Sequence, residues 1–163
     1  MTSFRSGPGR VLYLVVSAAP QCLDTLARIE AEQADGWDVC AVLTPQAAAW
    51  LDVDAIEAAT GHPVQSRMRI HPEPLFEPLG NAVLAAPVTF NTLNKVAIGM
   101  ADNMATGLLC EALGRDVPVA MEPRVSDAFA RHPAFRQHVE RLRAAGVTFT
   151  WHDPHTRAMF PED

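Results

Sequence analysis

Lysine is nearly absent from this chain, which has one lysine, Lys95, among 163 residues. Lysine and arginine together number 13 against 19 acidic residues, and the net charge is −6. Affinity for nucleic acid depends on clustered basic side chains that neutralise phosphates. We therefore expect no nucleic acid among the partners of this protein.

Cysteine is scarce, and long apolar runs are missing. The three cysteines, Cys22, Cys40 and Cys110, form no CxxC pair and are odd in number, which favours a reduced, cytoplasmic setting. No apolar run approaches the roughly 18 residues of a membrane span, so we expect no membrane partner. The apolar stretch after the basic N-terminus leads into Pro20 rather than a cleavage-type site, which predicts a strand and not a signal peptide.

Strand and helix patterns alternate along the chain. Hydrophobic residues make up 48% of the sequence, enough for one domain over residues 1–163 to bury a core without disulfides. The runs that predict strands are Val11–Val16, Asp38–Leu43, Ala82–Ala86, Pro118–Met121 and Val147–Trp151. The predicted helices are Cys22–Ala34, Gln46–Leu51, Asp54–Ala59, Leu93–Leu113 and Pro133–Ala145. Such alternation predicts a single-domain Rossmann-like (flavodoxin-like) α/β fold, a three-layer sandwich around a parallel sheet.

One segment of the chain points to a ligand site. The apolar run Ala82–Ala86 stops at Pro87, a polar turn follows over Val88–Thr92, and a helical pattern comes next. In open α/β sheets, polar side chains just beyond a strand's carboxyl end and the free N–H groups of the next helix together bind anionic ligands. The sequence therefore predicts a site at this end of the third main strand.

Several short motifs in order carry a resemblance to a known family. Residues 87–92 read PVTFNT where that family has PASANT, and Lys95–Thr106 follows its K-x-x-x-G-x-A-D-x-x-x-T run. Thr44–Ala47 resembles its T-x-x-A turn, Thr60–Val64 its TGxPV element, and Leu142–Gly146 its L-x-x-x-G ending. Over residues 11–146 the chain thus resembles the homo-oligomeric flavin-containing cysteine decarboxylases, a flavoprotein family. The resemblance implies FMN as cofactor and a homotrimer or homododecamer as the assembly.

The resemblance also implies which residues bind the flavin. These candidates stand at strand ends and in the following helix: Ser17, Thr44, Pro87, Thr89, Asn91, Thr92 and Met104. Ser17 and Thr44 have an alternative role, because a hydroxyl beside a helix start is commonly an N-cap. Met104 lies one helical turn after Met100, a spacing that is more typical of a packed core. We interpret Asp102 as a residue that braces or caps the local loop.

The helix predicted over Leu93–Leu113 is apolar around much of its circumference, at Val96, Met100, Met104 and Leu108 among other positions. A helix of this kind in a single layer needs cover from another element. Together with the resemblance, this pattern predicts that a second subunit covers the helix and that the flavin lies near a subunit boundary.

Family members oxidatively decarboxylate a peptidyl or pantothenoyl cysteine. The resemblance implies that His71 is the catalytic histidine, although a lone histidine in a Pro-rich loop is as often a surface group. The family's P-x-M-N-x-x-M-W segment grips the substrate carboxylate through its Asn, and here Pro123–Phe129 carries Ser126 in that place. A serine has no amide, but Arg124 could bind the carboxylate bidentately. Alternatively, Glu122 could neutralise Arg124.

Two interpretations of function follow. In the first, the protein is an FMN-dependent oxidative decarboxylase of a cysteine-type thiol carboxylate, either a small molecule or a peptide with a C-terminal cysteine. Its substrate-binding residues are then Arg124 and Ser126. In the second, the protein binds a flavin without that activity, as a transferase that resembles the flavin prenyltransferases or as a regulatory partner subunit.

Overall fold

A single parallel sheet of five strands organises the chain. The computed structural model describes residues 9–68 and 80–161. Its strands are Val11–Val16 (β1), Asp38–Leu43 (β2), Ala82–Val88 (β3), Val119–Pro123 (β4) and Thr148–Phe149 (β5). The strand order is β2-β1-β3-β4-β5, and every neighbouring pair is parallel. The predicted α/β fold class is confirmed.

Helices fill the connections between the strands. A short 3₁₀ turn, Pro20–Asp24, precedes the first α-helix. The α-helices are Thr25–Ala34 (α1), Pro45–Trp50 (α2), Val53–Thr60 (α3), Phe90–Ala97 (α4), Met104–Gly114 (α5), Asp127–Ala130 (α6), Pro133–Ala144 (α7) and Pro154–Met159 (α8). In the part of the chain that the structure describes, no helix has both the length and the apolar character to cross a bilayer.

The sheet is buried on both faces, which is why its strands are continuously apolar. Successive side chains of β1 point to opposite faces. Leu12 and Leu14 pack into a cluster that includes Ile29 of α1. Tyr13 belongs to a second cluster, together with Phe135 of α7. Each face is therefore covered by helices, and the layers follow the order helix, sheet, helix.

The helix predicted over Leu93–Leu113 is wrong, because two helices occupy that span. The first, α4, ends at Ala97, and Gly99 then adopts a φ of +76°, a left-handed conformation that glycine accepts without steric cost. The second, α5, begins after Asn103, whose side chain forms a reciprocal capping box with Thr106. The sequence shows a helical pattern across the break because Val96, Met100 and Met104 follow one another at intervals of four residues.

This break also changes the interpretation of the apolar surface of the segment. Val96, Met104 and Leu108 are buried in the chain's own core, so they need no second subunit to cover them. Met100, between the two helices, is 44% exposed. Most of the apolar residues in this segment therefore do not indicate a contact with a second subunit.

The helix predicted over Cys22–Ala34 is an α-helix only from Thr25 onward. Cys22 and Ile29 are buried, but Leu26 is 45% exposed. Residues 20–24 form a 3₁₀ turn with about three residues per turn, and this turn shifts the phase so that Thr25 is buried instead.

Candidate active site

The carboxyl ends of four strands border one open cavity of about 720 Å³. Its walls come from the segments that follow these strands, Ala18–Pro20, Thr44–Gln46, Thr89–Thr92 and Arg124–Ser126. The helices after β1 and β3 cover opposite faces of the sheet, so a crevice opens between these two adjacent strands. Ligands of doubly wound sheets bind at this switch in strand order.

The cavity contains most of the predicted site residues that the structure describes. Its lining includes four of the predicted flavin-binding residues and both predicted substrate-binding residues, namely Thr44, Thr89, Asn91, Thr92, Arg124 and Ser126. Ser17 and Pro87 lie directly beside it at the ends of β1 and β3, but they are not part of its lining. Met104 is 2% exposed and belongs to the hydrophobic core.

Two of the threonine hydroxyls cap helices, as the alternative interpretation of Thr44 proposed. Thr44 Oγ1 accepts a hydrogen bond from Ala47 N at 3.2 Å at the start of α2. Thr89 Oγ1 accepts one from Thr92 N at 3.4 Å at the start of α4 and donates to Thr92 Oγ1 at 3.3 Å. Within residues 9–68 and 80–161, the Asn91 amide has no hydrogen-bond partner, so it is the free polar group of this turn.

Ser17 is not an N-cap. It lies 1% exposed at the end of β1, and the cap of the following 3₁₀ turn is Ala19. Its Oγ has no hydrogen-bond partner among the described residues. An unsatisfied buried hydroxyl costs about 1–3 kcal/mol, so this atom requires a polar partner from outside the described chain. Its place beside the cavity fits a flavin phosphate, as does the N-terminus of α4.

The single lysine is fixed at the cavity rim. Lys95 Nζ lies 2.7 Å from Asp102 Oδ2, and Asp102 also accepts from Thr106 Oγ1 at 3.5 Å. The hydrogen bond from Lys95, with its positive charge, lowers the pKa of Asp102 below its ordinary value. Asp102 thus braces the α4–α5 loop as predicted, and it balances the charge of the lysine.

An aromatic pair forms an apolar part of the wall. Phe90 at the start of α4 stacks on Phe129 of α6, with ring centroids 4.4 Å apart and planes at 14°. Both rings line the cavity, and Phe129 is 51% exposed. The pair joins the turn after β3 to the segment after β4.

Arg124 is a cation without a counter-ion in the described part of the chain. Its neighbour Glu122 does not neutralise it, so that alternative is wrong. The carboxylate of Glu122 instead binds Arg28 and His152. Ser126, the other predicted substrate-binding residue, uses its Oγ to accept from Phe129 N at 3.3 Å and so caps α6.

The cluster around Glu122 was not predicted from the sequence. Arg28 donates to both carboxylate oxygens, at 2.6 and 3.1 Å, and His152 Nε2 lies 2.8 Å from Oε2. Burial alone would raise the pKa of Glu122, but hydrogen bonds and charge from Arg28, and then from His152, outweigh it and lower the pKa. The one available signal was an acidic residue at the end of the buried run Val119–Met121.

Two smaller cavities adjoin this cluster. One of about 310 Å³ is bordered by Arg28, Glu122, Arg124 and His152, and one of about 370 Å³ by Arg124 and His152 as well. Arg124 also lines the large cavity, so it borders all three. Three buried atoms around the 370 Å³ cavity have no partner among the described residues: Gln21 Oε1, Trp151 Nε1 and Thr156 Oγ1.

The cysteines supply no reactive thiolate to this site. All three are free, and none lines the described cavities. Burial raises the pKa of Cys22 and Cys110, and it raises that of Cys40 to about 12. Residues 9–68 and 80–161 also contain no cluster of His, Cys, Asp or Glu suited to a metal ion. The predicted catalytic residue His71 lies outside the described residues, so its role stays a prediction.

The chain is similar in sequence to two curated proteins named below. A coenzyme A biosynthesis bifunctional protein CoaBC of Thermococcus kodakarensis is 29% identical over 119 residues, 70% of this chain and 29% of that protein. The phosphopantothenoylcysteine decarboxylase of Mus musculus is 38% identical over 64 residues, 39% of this chain and 31% of that enzyme. The chain thus spans about a third of the length of these curated relatives.

The fold has close counterparts among solved structures. The FMN-dependent cysteine decarboxylase TvaF from thioviridamide biosynthesis superposes with a TM-score of 0.77 at 23% identity, covering 93% of this chain and 94% of that one. The family described as Flavoprotein matches residues 10–163, which is nearly the whole sequence. The resemblance inferred from the short motifs is therefore confirmed at the level of the family: this chain belongs to the Flavoprotein family.

Proposed function

We propose that this protein is an FMN-dependent oxidative decarboxylase of a cysteine-type thiol carboxylate, such as a peptide with a C-terminal cysteine. The observation that carries the proposal is Arg124, a cation without an acidic partner among the described residues, on the wall of the cavity at the strand ends. A guanidinium in this position suits a carboxylate ligand. The names of the mouse relative and of TvaF, a phosphopantothenoylcysteine decarboxylase and an FMN-dependent cysteine decarboxylase, support the same chemistry.

The cofactor would occupy the 720 Å³ cavity without a covalent bond. Ser17 and the N-terminus of α4 are the groups that would hold its phosphate, and the free amide of Asn91 would bind the polar part of the flavin. The aromatic pair Phe90 and Phe129 offers an apolar surface on the same wall. When bound, FMN supplies the two-electron acceptor for the reaction.

The chain's own residues would bind and orient the substrate. Arg124 would hold the carboxylate by two parallel hydrogen bonds. Ser126 cannot replace an amide, and its hydroxyl already accepts from Phe129 N. Because Arg124 borders the large cavity and both smaller ones, a substrate held there would lie next to the proposed flavin cavity. Oxidation at the sulfur-bearing carbon of the substrate and loss of CO₂ would then give an enethiol.

We assign His71 as the catalytic histidine because its position in the sequence resembles that of the family's catalytic histidine. His62, the other histidine nearby in the chain, bonds Asp38 Oδ1 at 2.6 Å. Asp38 begins β2, so His62 lies at the amino edge of the sheet, opposite the cavity. Replacing His71 with Asn should abolish turnover and leave FMN bound, whereas His62→Asn should leave turnover unchanged.

The experiment has two stages. The purified protein should be yellow or take up FMN on reconstitution. A colourless protein that binds no FMN would contradict the proposal. Peptides ending in cysteine and small thiol carboxylates are then incubated with the FMN-loaded protein. Mass spectrometry should show loss of CO₂ and two hydrogens from one of them. If FMN binds and none reduces it, the protein is a flavin-binding protein without decarboxylase activity.

A further inference from the structure

We infer that His152 is the residue that accepts the thiol proton of the substrate, with Glu122 as its positioning residue. The inference rests on the proposed decarboxylase function. It starts from the contact between His152 Nε2 and Glu122 Oε2 at 2.8 Å. Glu122 is 6% exposed, and Arg28 binds both of its oxygens, so the acceptor of the histidine is itself held in place.

The carboxylate selects the tautomer of the imidazole. The low pKa of Glu122 keeps this carboxylate ionised, and an ionised carboxylate only accepts hydrogen bonds. Nε2 must therefore carry the proton, and in the neutral ring Nδ1 is left with a lone pair. Nδ1 has no hydrogen-bond partner in residues 9–68 and 80–161. A base oriented by a buried carboxylate, with its second nitrogen free, is the arrangement that proton transfer requires.

The position of His152 is suited to the substrate that Arg124 would bind. Both residues border the 310 Å³ and the 370 Å³ cavities, and Arg124 connects these to the large cavity. The buried Trp151 Nε1 and Thr156 Oγ1, both without partners among the described residues, also border the 370 Å³ cavity. The space beside His152 is therefore lined by polar atoms that require a ligand or water.

The other histidines in the described residues form contacts elsewhere in the structure. His132 caps α7 through Nδ1, His138 bonds Asn94, and His155 bonds Arg131. His62 lies at the opposite edge of the sheet. Within residues 9–68 and 80–161, His152 alone among the histidines borders a cavity that Arg124 also borders.

In the proposed step, the proton moves from the substrate sulfur to His152. The S–H bond of the substrate breaks, its electron pair stays on sulfur as a thiolate, and the proton forms an N–H bond at His152 Nδ1. The imidazolium keeps its Nε2–H bond to Glu122. The thiolate would make its own carbon easier to oxidise, and FMN, when bound, would supply the two-electron acceptor named in the proposed function. After CO₂ leaves, the imidazolium returns the proton to the enethiolate sulfur, and the neutral imidazole is restored.

The experiment compares His152→Gln with His155→Gln, a matched control on an exposed histidine three residues away. With a synthetic peptide ending in cysteine, His152→Gln should slow flavin reduction by about 10²- to 10⁴-fold with little change in KM, and His155→Gln should react as wild type. Glu122→Gln should slow it in the same direction but less. A raised KM with unchanged kcat in His152→Gln would overturn the inference, since it would indicate binding rather than proton transfer.

A second measurement does not depend on turnover. Flavin-free wild-type protein should produce ultraviolet thiolate absorbance when the same peptide binds at neutral pH, below the ordinary thiol pKa of about 8.5. His152→Gln should bind the peptide without that absorbance. Absorbance that persists in the variant overturns the inference and leaves the proposed function intact. A wild-type protein that never reduces its flavin with any thiol carboxylate overturns both.

Discussion

Phe90 and Phe129 stack face to face, with ring centroids 4.4 Å apart. Phe129 takes the place of the distal Met in the substrate-binding motif that the chain resembles. Stacked aromatic pairs contribute about 0.5–1.5 kcal/mol beyond the area that they bury. Phe129→Ala should therefore lower the free energy of unfolding by about 1 kcal/mol in urea denaturation. Leu23→Ala, at a side chain that is 71% exposed, should change it by less than about 0.5 kcal/mol.

Asn91 and Asn94 allow a matched test of the flavin site. Both lie on α4, but Asn91 lines the cavity with a free amide, whereas Asn94 Oδ1 bonds His138 Nδ1 at 2.7 Å. Asn91→Ala should weaken FMN binding by about 1–3 kcal/mol with unchanged stability. Asn94→Ala should lower stability and leave FMN affinity unchanged. Fluorescence titration of FMN measures the affinities, and equal affinities in the two variants would contradict the assignment of Asn91.

Arg124 is predicted to act mainly through substrate affinity. Arg124→Ala should raise KM for a confirmed substrate, because loss of a charge-assisted hydrogen bond costs roughly 1.5–3 kcal/mol. Arg124→Lys should fall between the alanine variant and wild type, since lysine keeps the charge but lacks the planar fork. The control is Arg131→Ala, an exposed arginine that bonds His155, for which steady-state kinetics should match wild type. An unchanged KM in Arg124→Ala would remove this residue from the carboxylate site.

Glu122 makes stability depend on pH in a defined direction. Its folded-state pKa lies below the ordinary value of 4.5. A carboxylate of this kind contributes stability above its unfolded-state pKa and loses it as pH falls through the folded-state pKa. Wild type should therefore be more stable than Glu122→Gln at neutral pH, and the difference should shrink as pH falls below 4.5. Urea denaturation at stepped pH measures this difference, and a constant gap would contradict it. Glu140→Gln, at an exposed position, is the control.

The assembly remains predicted to be a homotrimer or a homododecamer. The apolar residues still available for a subunit contact near α4 are Ile98 and Met100, which are 54% and 44% exposed. Light scattering of the purified protein measures the mass directly. A monomer of 17.7 kDa would contradict the prediction.

How well the fold could be predicted depended on the length of each pattern. The bounds of β1 and β2 were predicted correctly, because both are runs of six mostly apolar residues, of which all but Asp38 are buried. The short helices α6 and α8 were not predicted, because four and six residues show little helical period. The six-residue helix α2 was predicted, but with bounds shifted by one residue. The strand predicted over Val147–Trp151 forms only as Thr148–Phe149, because only these two residues pair with β4. Val147 and Trp151 are buried in the core outside that ladder.

The parts of the site formed by residues adjacent in sequence could be predicted, whereas the parts formed by long-range contacts could not. The polar turn of Thr89, Asn91 and Thr92 could be recognised because its residues are adjacent in sequence and follow a buried strand. The contact of Arg28 with Glu122 spans 94 residues, and that of His152 with Glu122 spans 30. No local pattern marks such pairs, since only the order of the strands brings them together.

The shared carboxylate of Glu122 has a consequence for how this sequence can diverge. A buried carboxylate that loses its partners is strongly destabilising. Loss of Arg28 while Glu122 is kept should therefore be costly to stability. Among homologues, these two positions should be exchanged together, with His152 changing alongside them.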